Sequence, residues 1–186
     1  MTIGGSFDEV LVAAQAGAEW AFTILYRDLN PRLVRYFSAR AMSQAEDLAA
    51  ETWLEASHNL ATFGGNEGAF RGWMFTIARR RLIQHWRDGE RRPSRPVAPE
   101  TLTEHPGRDN TELEAIAVTD AQAAIRAITA LLSPDQADVV LLRVLGGLDV
   151  AQVAEVLGKR PGTVRVLQHK ALRRLAGRFS VEALTR

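Results

Sequence analysis

Residues 149–170 constrain the fold more tightly than any other part of the chain. Asp149 stands before an apolar run, Val150 to Leu157, and Gln152 follows it by three positions. That spacing lets the aspartate accept from the backbone of the third helical residue while the glutamine reaches back to the cap, so a helix begins at Val150. Gly158 ends it, because glycine takes the required left-handed turn at little steric cost. After Lys159 and Arg160, Pro161 suits the first turn of a second helix, expected to run to about Gly177. Ala154 is small enough for the two helices to approach closely, and Val164 and Leu167 fall where they seal a small core beneath the second one. The pattern predicts a helix-turn-helix. Its second helix presents Thr163, Arg165, Gln168, His169, Lys170, Arg173 and Arg174 outward. Free amides at the start of such a helix hold phosphate, and long basic side chains reach base edges in a major groove.

The upstream sequence is helical in period as well. Trp20, Ile24 and Leu25 share one stripe, with Phe22 and Tyr26 beside it, and Leu33, Phe37, Leu48, Trp53 and Leu54 continue the pattern. Pro31 reads as the first turn of a new helix capped by Asn30. Ser43 and Glu46 have capping-box spacing. The three glycines between Phe63 and Gly68 make a loop, and Phe70 to Asp88 a long helix. From Gly89 the chain turns rich in Pro and Arg and then acidic, a composition that predicts a flexible linker. Ala115 to Leu132 is again helical in pattern. Ser133, Pro134 and Gln136 then open a helix that runs to Leu145 before Gly146 and Gly147. No segment has the period of a strand. The expected fold class is all-α, with two small helical domains (7–89 and 112–178) joined by a linker (90–111), the second domain being the helix-turn-helix.

Charge is distributed in blocks. Residues 1–62 carry a net −4, 63–96 a net +5, 97–138 a net −6 and 139–186 a net +6, within an overall charge of +1. Basic blocks are the footprint of a polyanion partner, and acidic blocks suit protein partners. The chain has no cysteine, which removes disulfides and thiolate metal sites. His58, His85, His105 and His169 lack metal-ligand spacing, so no metal is expected; a chain that makes and breaks no bond needs no cofactor either. No apolar run approaches a membrane span and no signal peptide is legible, so a cytoplasmic protein without membrane insertion is expected. Glu46, Glu51 and His58 could be assembled into an acid–base set, but helical surfaces produce such spacings constantly, and no enzyme is expected.

Three segments together carry a family resemblance. Leu132 to Arg143, with Ala154-Glu-Val-Leu-Gly158 and Gly162-Thr-Val-Arg165, resembles the promoter-binding C-terminal domain of extracytoplasmic-function (ECF) sigma factors, of the sigma-70 family of bacterial RNA polymerase. Ala45 to Ala56 resembles that family's core-polymerase-binding helix. Phe70 to Arg79 resembles its promoter-melting helix. The resemblance runs in unbroken order from about residue 7 to 178. It implies the minimal two-domain form of the family, without a further ligand-binding domain.

The resemblance implies roles for particular residues. Asp47, Leu48, Glu51, Leu54 and Glu55 would meet core RNA polymerase; the alternative is a solvated acidic face around one core leucine. Gly65 and Asn66 lie in the loop that would capture a flipped base of the −10 element, or form a plain turn. Arg71, Trp73, Met74, Arg79 and Arg80 would melt and grip the −10 region, with Arg81 and Arg87 on phosphates. Trp73 also lies on the stripe of Phe70 and Ile77, so core packing is its alternative. Lys159, Arg160, Thr163, Arg165, Val166, His169, Lys170 and Arg173 would bind the −35 element. Ala50, Arg160, Val166 and Leu167 depart from residues common in the family. The implied partners are core RNA polymerase, promoter DNA and an anti-sigma factor. A helix-turn-helix regulator that binds DNA independently of polymerase is the alternative function.

Overall fold

The computed structural model describes Ile3 and residues 6–91, 125–127 and 129–184, and each regular element among them is helical. The N-terminal unit consists of α1 (Phe7–Gln15), α2 (Glu19–Ser38), α3 (Ala45–Asn59) and α4 (Glu67–Arg91), with short 3-10 turns at Met42–Gln44 and Leu60–Thr62. The C-terminal unit consists of α5 (Pro134–Val144), α6 (Val150–Leu157) and α7 (Pro161–Leu184), with helical residues at 125–127 and 129–130 ahead of them. Most of the expected linker lies outside the described residues, as does much of the helix expected over 115–132.

Local rules explain most boundaries. Both capping boxes of the C-terminal unit form. Gln136 and Ser133 exchange bonds of 3.4 and 3.1 Å, and Gln152 and Asp149 bonds of 2.9 and 2.8 Å. Gly158 ends α6 with φ +62°, in the left-handed region. The N-terminal unit departs from expectation at several points. Pro31 does not start a helix but lies inside α2. The buried stripe Ala21, Leu25, Leu29, Leu33 and Phe37 continues straight past it. Burying those side chains contributes about 1.5–3 kcal/mol for each large one, more than the roughly 3 kcal/mol an internal proline costs. Trp20 and Ile24 are exposed and do not share the stripe of Leu25. Ser43 caps nothing: its hydroxyl donates to Gln44 Oε1, and α3 starts at Ala45 after the 3-10 turn. Helix α4 continues through Gly89, and α7 continues past Gly177.

The two units share one hydrophobic core. In the N-terminal unit Phe75 of α4 meets Tyr36 of α2 edge to face, centroids 5.5 Å apart. The turn after α5 comes down on this pair. A β-carbon on Gly146 would stand 2.6 Å from the Leu142 carbonyl oxygen, which only glycine avoids, and 3.2 Å from the Phe75 ring. At the N-terminal end of α4, a β-carbon on Gly68 would meet the Gln152 amide of α6 at 3.0 Å. Further along, Val156 of α6 shares a cleft with Thr76, Arg79, Ile83 and Arg87 of α4. Thus α6 lies along α4 for most of its length.

A buried charge cluster closes the seam. Asp138 of α5 is 6% exposed and lies between two arginines of the other unit. Arg40 Nη2 is 3.3 Å from one carboxylate oxygen and Arg79 Nε 3.8 Å from the other. Burial nonetheless holds the Asp138 carboxyl above its ordinary range, and the two guanidiniums pull it back only in part. The Tyr36 hydroxyl, fully buried nearby and without a hydrogen-bond partner, is likewise pushed up, chiefly by burial and then by Asp138. Such a cluster is weak glue, because desolvation offsets the Coulomb attraction. Its effect is on register: a docking of α5 that kept Asp138 buried away from Arg40 and Arg79 would leave the charge unpaired.

This has a measurable sign. A carboxyl raised by folding contributes stability that is full below its unfolded value and lost as pH rises through its folded value. Asp138→Asn removes that titration. In urea melts, wild-type stability minus variant stability should therefore decline as pH rises from about 4 toward neutrality. A difference that does not change with pH would mean that Asp138 is not desolvated.

Candidate nucleic-acid interface

The loop between α3 and α4 is built around glycine. Gly65 has φ +145°, and a β-carbon there would lie 2.9 Å from that of Ala69. Asn66 caps α4: its Oδ1 accepts the Ala69 N–H at 2.9 Å. Phe63 anchors the loop from below, packed against Phe70 and Trp73 at 5.5 and 5.0 Å. Beside the loop opens a cleft of about 540 Å³ bordered by Glu55, Asn59, Thr62, Gly64, Trp73 and Arg80. Its border combines aromatic side chains with polar ones, the two kinds of group that hold a splayed-out nucleobase.

The residues expected to melt DNA divide on the structure. Met74 is completely buried and packs in the core, which corrects its assignment to the DNA surface. Trp73 is half-buried against Phe63 and Phe70, so one edge reaches the cleft while the ring serves the core. Arg71 pairs with Glu67 one turn earlier, at 3.1 Å. Arg79 is held by Asp138. Arg80 is exposed and pairs with Glu55 of α3, which Arg81 also grips at 2.7 Å.

On α3 the expected polymerase-facing residues separate in the same way. Asp47, Glu51 and Leu54 are exposed along one stripe, Leu54 at 60%. Leu48 points inward and is buried, so it is a core residue and not part of that surface. Glu55 is drawn to α4 by Arg80 and Arg81. What remains is a protruding leucine with Asp47 beside it and Glu51, exposed although Arg81 lies 3.7 Å away, a surface suited to a basic protein partner.

The helix-turn-helix presents its reading face to solvent. Arg160, Thr163, Arg165, Val166, His169, Lys170 and Arg173 are all exposed on α7 or just before it. Val164 and Ala171 are fully buried beneath them, and Leu167 is partly buried. Lys159 is drawn back to Asp135 of α5 at 2.9 Å, so it braces the turn. The basic residues of the two helices thus differ in access: those facing outward on α7 are exposed, while on α4 Arg80 and Arg87 are exposed and Arg79 is taken up by Asp138.

Sequence reasoning missed Asn59 and Thr62 on the cleft and Gln15 behind the loop. Asn59 and Thr62 sit at the end of a helix, where polar residues ordinarily cap, and nothing in their spacing signals a cleft. Gln15 is 45 residues or more from the groups it contacts.

An all-helical chain with a glycine loop before a basic helix, an acidic helix before that loop and a helix-turn-helix at the other end has the make-up of a promoter-binding subunit. Comparison with known proteins gives the family. The family model for sigma-70 region 2 matches residues 25–92, and that for sigma-70 region 4 matches residues 122–175. The chain is 30% identical over 160 residues to the ECF RNA polymerase sigma factor ShbA of Streptomyces griseus, covering 81% of this chain and 83% of that one. It is 29% identical to SigD of Mycobacterium tuberculosis, covering 94% and 85%. With BldN of Streptomyces coelicolor it shares 32% identity over 90% of this chain, and the match spans 64% of BldN. The chain belongs to the ECF RNA polymerase sigma factors. Two solved structures have the same fold. CnrH in complex with the cytosolic domain of CnrY gives a TM-score of 0.63 at 18% identity, over 92% of this chain and 96% of that one. The sigma factor RpoE in complex with the anti-sigma factor NepR, from Bartonella quintana, gives 0.63 at 23% identity, over 86% and 97%. Among the described residues no helix is long and apolar enough to cross a membrane.

Gly65 provides a direct test of the loop. Gly65→Ala puts a side chain at a backbone angle L-residues rarely adopt and against Ala69, and should cost about 1–3 kcal/mol of stability in thermal melts. An unchanged melting temperature would show that the loop relaxes freely.

Proposed function

We propose that this chain is the promoter-specificity subunit of a bacterial RNA polymerase. The observation that carries this is the pairing, in one chain of the ECF family, of an exposed acidic stripe on α3 with an exposed basic face on α7. The α3 stripe (Asp47, Glu51, Leu54) docks on core polymerase. Helix α7 reads the −35 element as duplex through Arg165, Val166, His169, Lys170 and Arg173. The cleft beside Gly64 takes a base of the −10 strand, with Trp73 and Arg80 on its border and Asn66 in the adjoining loop. The protein makes and breaks no bond in this role; binding energy holds the strands apart. It acts where the polymerase is, in the bacterial cytoplasm. Relatives of this fold are known bound to partner proteins, RpoE to an anti-sigma factor, and a partner of that class would regulate this chain by covering both units.

A regulator that binds DNA without polymerase has no use for the α3 stripe. Charge reversal therefore separates the readings. Asp47→Lys with Glu51→Lys should lower affinity for purified core polymerase by tenfold or more, on the order of 1.4 kcal/mol, with an unchanged circular dichroism spectrum. Unchanged core affinity would move the interface elsewhere. Failure of the wild-type protein to bind core at all, together with tight binding to duplex DNA alone, would favour the independent regulator.

The seam implies a second outcome. With α6 over α4 and Arg79 held by Asp138, Arg79 is withheld from a −10 strand until the units part. Asp138→Ala leaves two partly buried guanidiniums without their anion and loosens the seam. The free variant should then bind a single-stranded −10 oligonucleotide about fivefold more tightly than the free wild type. Equal binding would show that the seam does not limit access.

A further inference from the structure

The base-binding cleft has a support that lies outside the region 2 match. Its far wall is the chain from Leu60 to Gly64, where the 3-10 turn gives way to extended backbone at Phe63. Within that turn Leu60 O accepts the Phe63 N–H at 3.1 Å. A further donor comes from Gln15, the last residue of α1. Its Nε2 donates to Leu60 O at 2.9 Å and to Phe63 O at 2.8 Å, using both hydrogens of one amide. The family model begins at residue 25, so α1 and Gln15 lie before it. Helix α1 is itself fixed against α4 by Phe7 on Phe70, centroids 5.8 Å apart. The path from α4 through α1 to Gln15 closes a ring around the loop.

We infer that Gln15 is a positioning residue for −10 recognition. It sets the distance of the Leu60–Gly64 wall from Trp73, and so which base the cleft accepts. The inference rests on the proposed reading of that cleft as the −10 site. A glutamine whose role is merely to stabilise the bundle would act equally on every promoter; one that sets the width of the cleft acts on discrimination among bases. The two hydrogen bonds to main-chain oxygens need a donor of this length and do not need an amide oxygen. Gln15→Met keeps the volume and loses both donors, whereas Gln15→Lys keeps donors at a similar reach.

The test uses holoenzyme reconstituted from the full chain and core polymerase, with a set of promoters that differ at single −10 bases. The readout is the ratio of transcription from the best base to the next best, beside −35 preference, core affinity and melting temperature. Gln15→Met should lower the −10 ratio by about 5- to 30-fold, with −35 preference and core affinity retained, and Gln15→Lys should keep most of the ratio. An unchanged ratio in Gln15→Met overturns the inference. So does a ratio that falls only together with core affinity and melting temperature in both variants, which would make Gln15 a structural residue. If wild-type holoenzyme shows no preference at any −10 base but retains preference at −35, the cleft is not the −10 site, and both the reading and the inference fall.

Discussion

Asp138 lies between Arg40 at the end of α2 and Arg79 in the middle of α4, and the relation of the two units follows from that placement. With Asp138 there, the turn after α5 descends on Phe75, and Gly146 is the residue that lets it. Helix α6 must then run along α4, and α7 must face away from it. One buried carboxylate thereby holds Arg79 in the seam, while the outward side chains of α7 stay exposed. That placement costs stability, because burial keeps that carboxyl above its ordinary range even between two guanidiniums. A wholly apolar seam would hold more tightly and specify less.

The same economy appears within the N-terminal unit. Aromatic rings do the packing: Trp53 with Phe22 and Tyr26, Tyr36 with Phe75, Phe63 with Phe70 and Trp73. Charges are placed where packing leaves an edge. Glu55 ties α3 to α4 through Arg80 and Arg81, and Glu67 ties the first turn of α4 to Arg71. These pairs consume several of the arginines that a basic block in the sequence suggests are available for phosphate. The free cationic surface of α4 is therefore smaller than its composition, and that of α7 is close to it.

Local chemistry was legible wherever it was self-contained. A cap and its partner three residues on, or a glycine that must turn left-handed, involve only neighbours in sequence, so Asp149, Gln152, Gly158, Ser133 and Gln136 read correctly. Pro31 misled because its cost is local while the burial that outweighs it is spread along the whole of α2. Motif position puts Met74 on the DNA surface and Leu48 on the polymerase surface, with a core leucine as the alternative for Leu48; both turn inward, because each lies on the side of its helix that packs in the bundle. Gln15 carried no signal, because its partners are main-chain oxygens far along the chain.

The sequence by itself determined an all-helical chain with a capped helix-turn-helix, a glycine loop and alternating charge blocks, because helix period, capping and turn chemistry act over a few residues. Its motifs carried the family as well. The tertiary structure decided which of those residues remain available. It drew Arg79, Glu55 and Lys159 into ion pairs, sank Leu48 and Met74 into the core, and set Gln15 behind the cleft. Those outcomes depend on which surfaces meet, a matter of long-range packing and desolvation that no window along the chain contains.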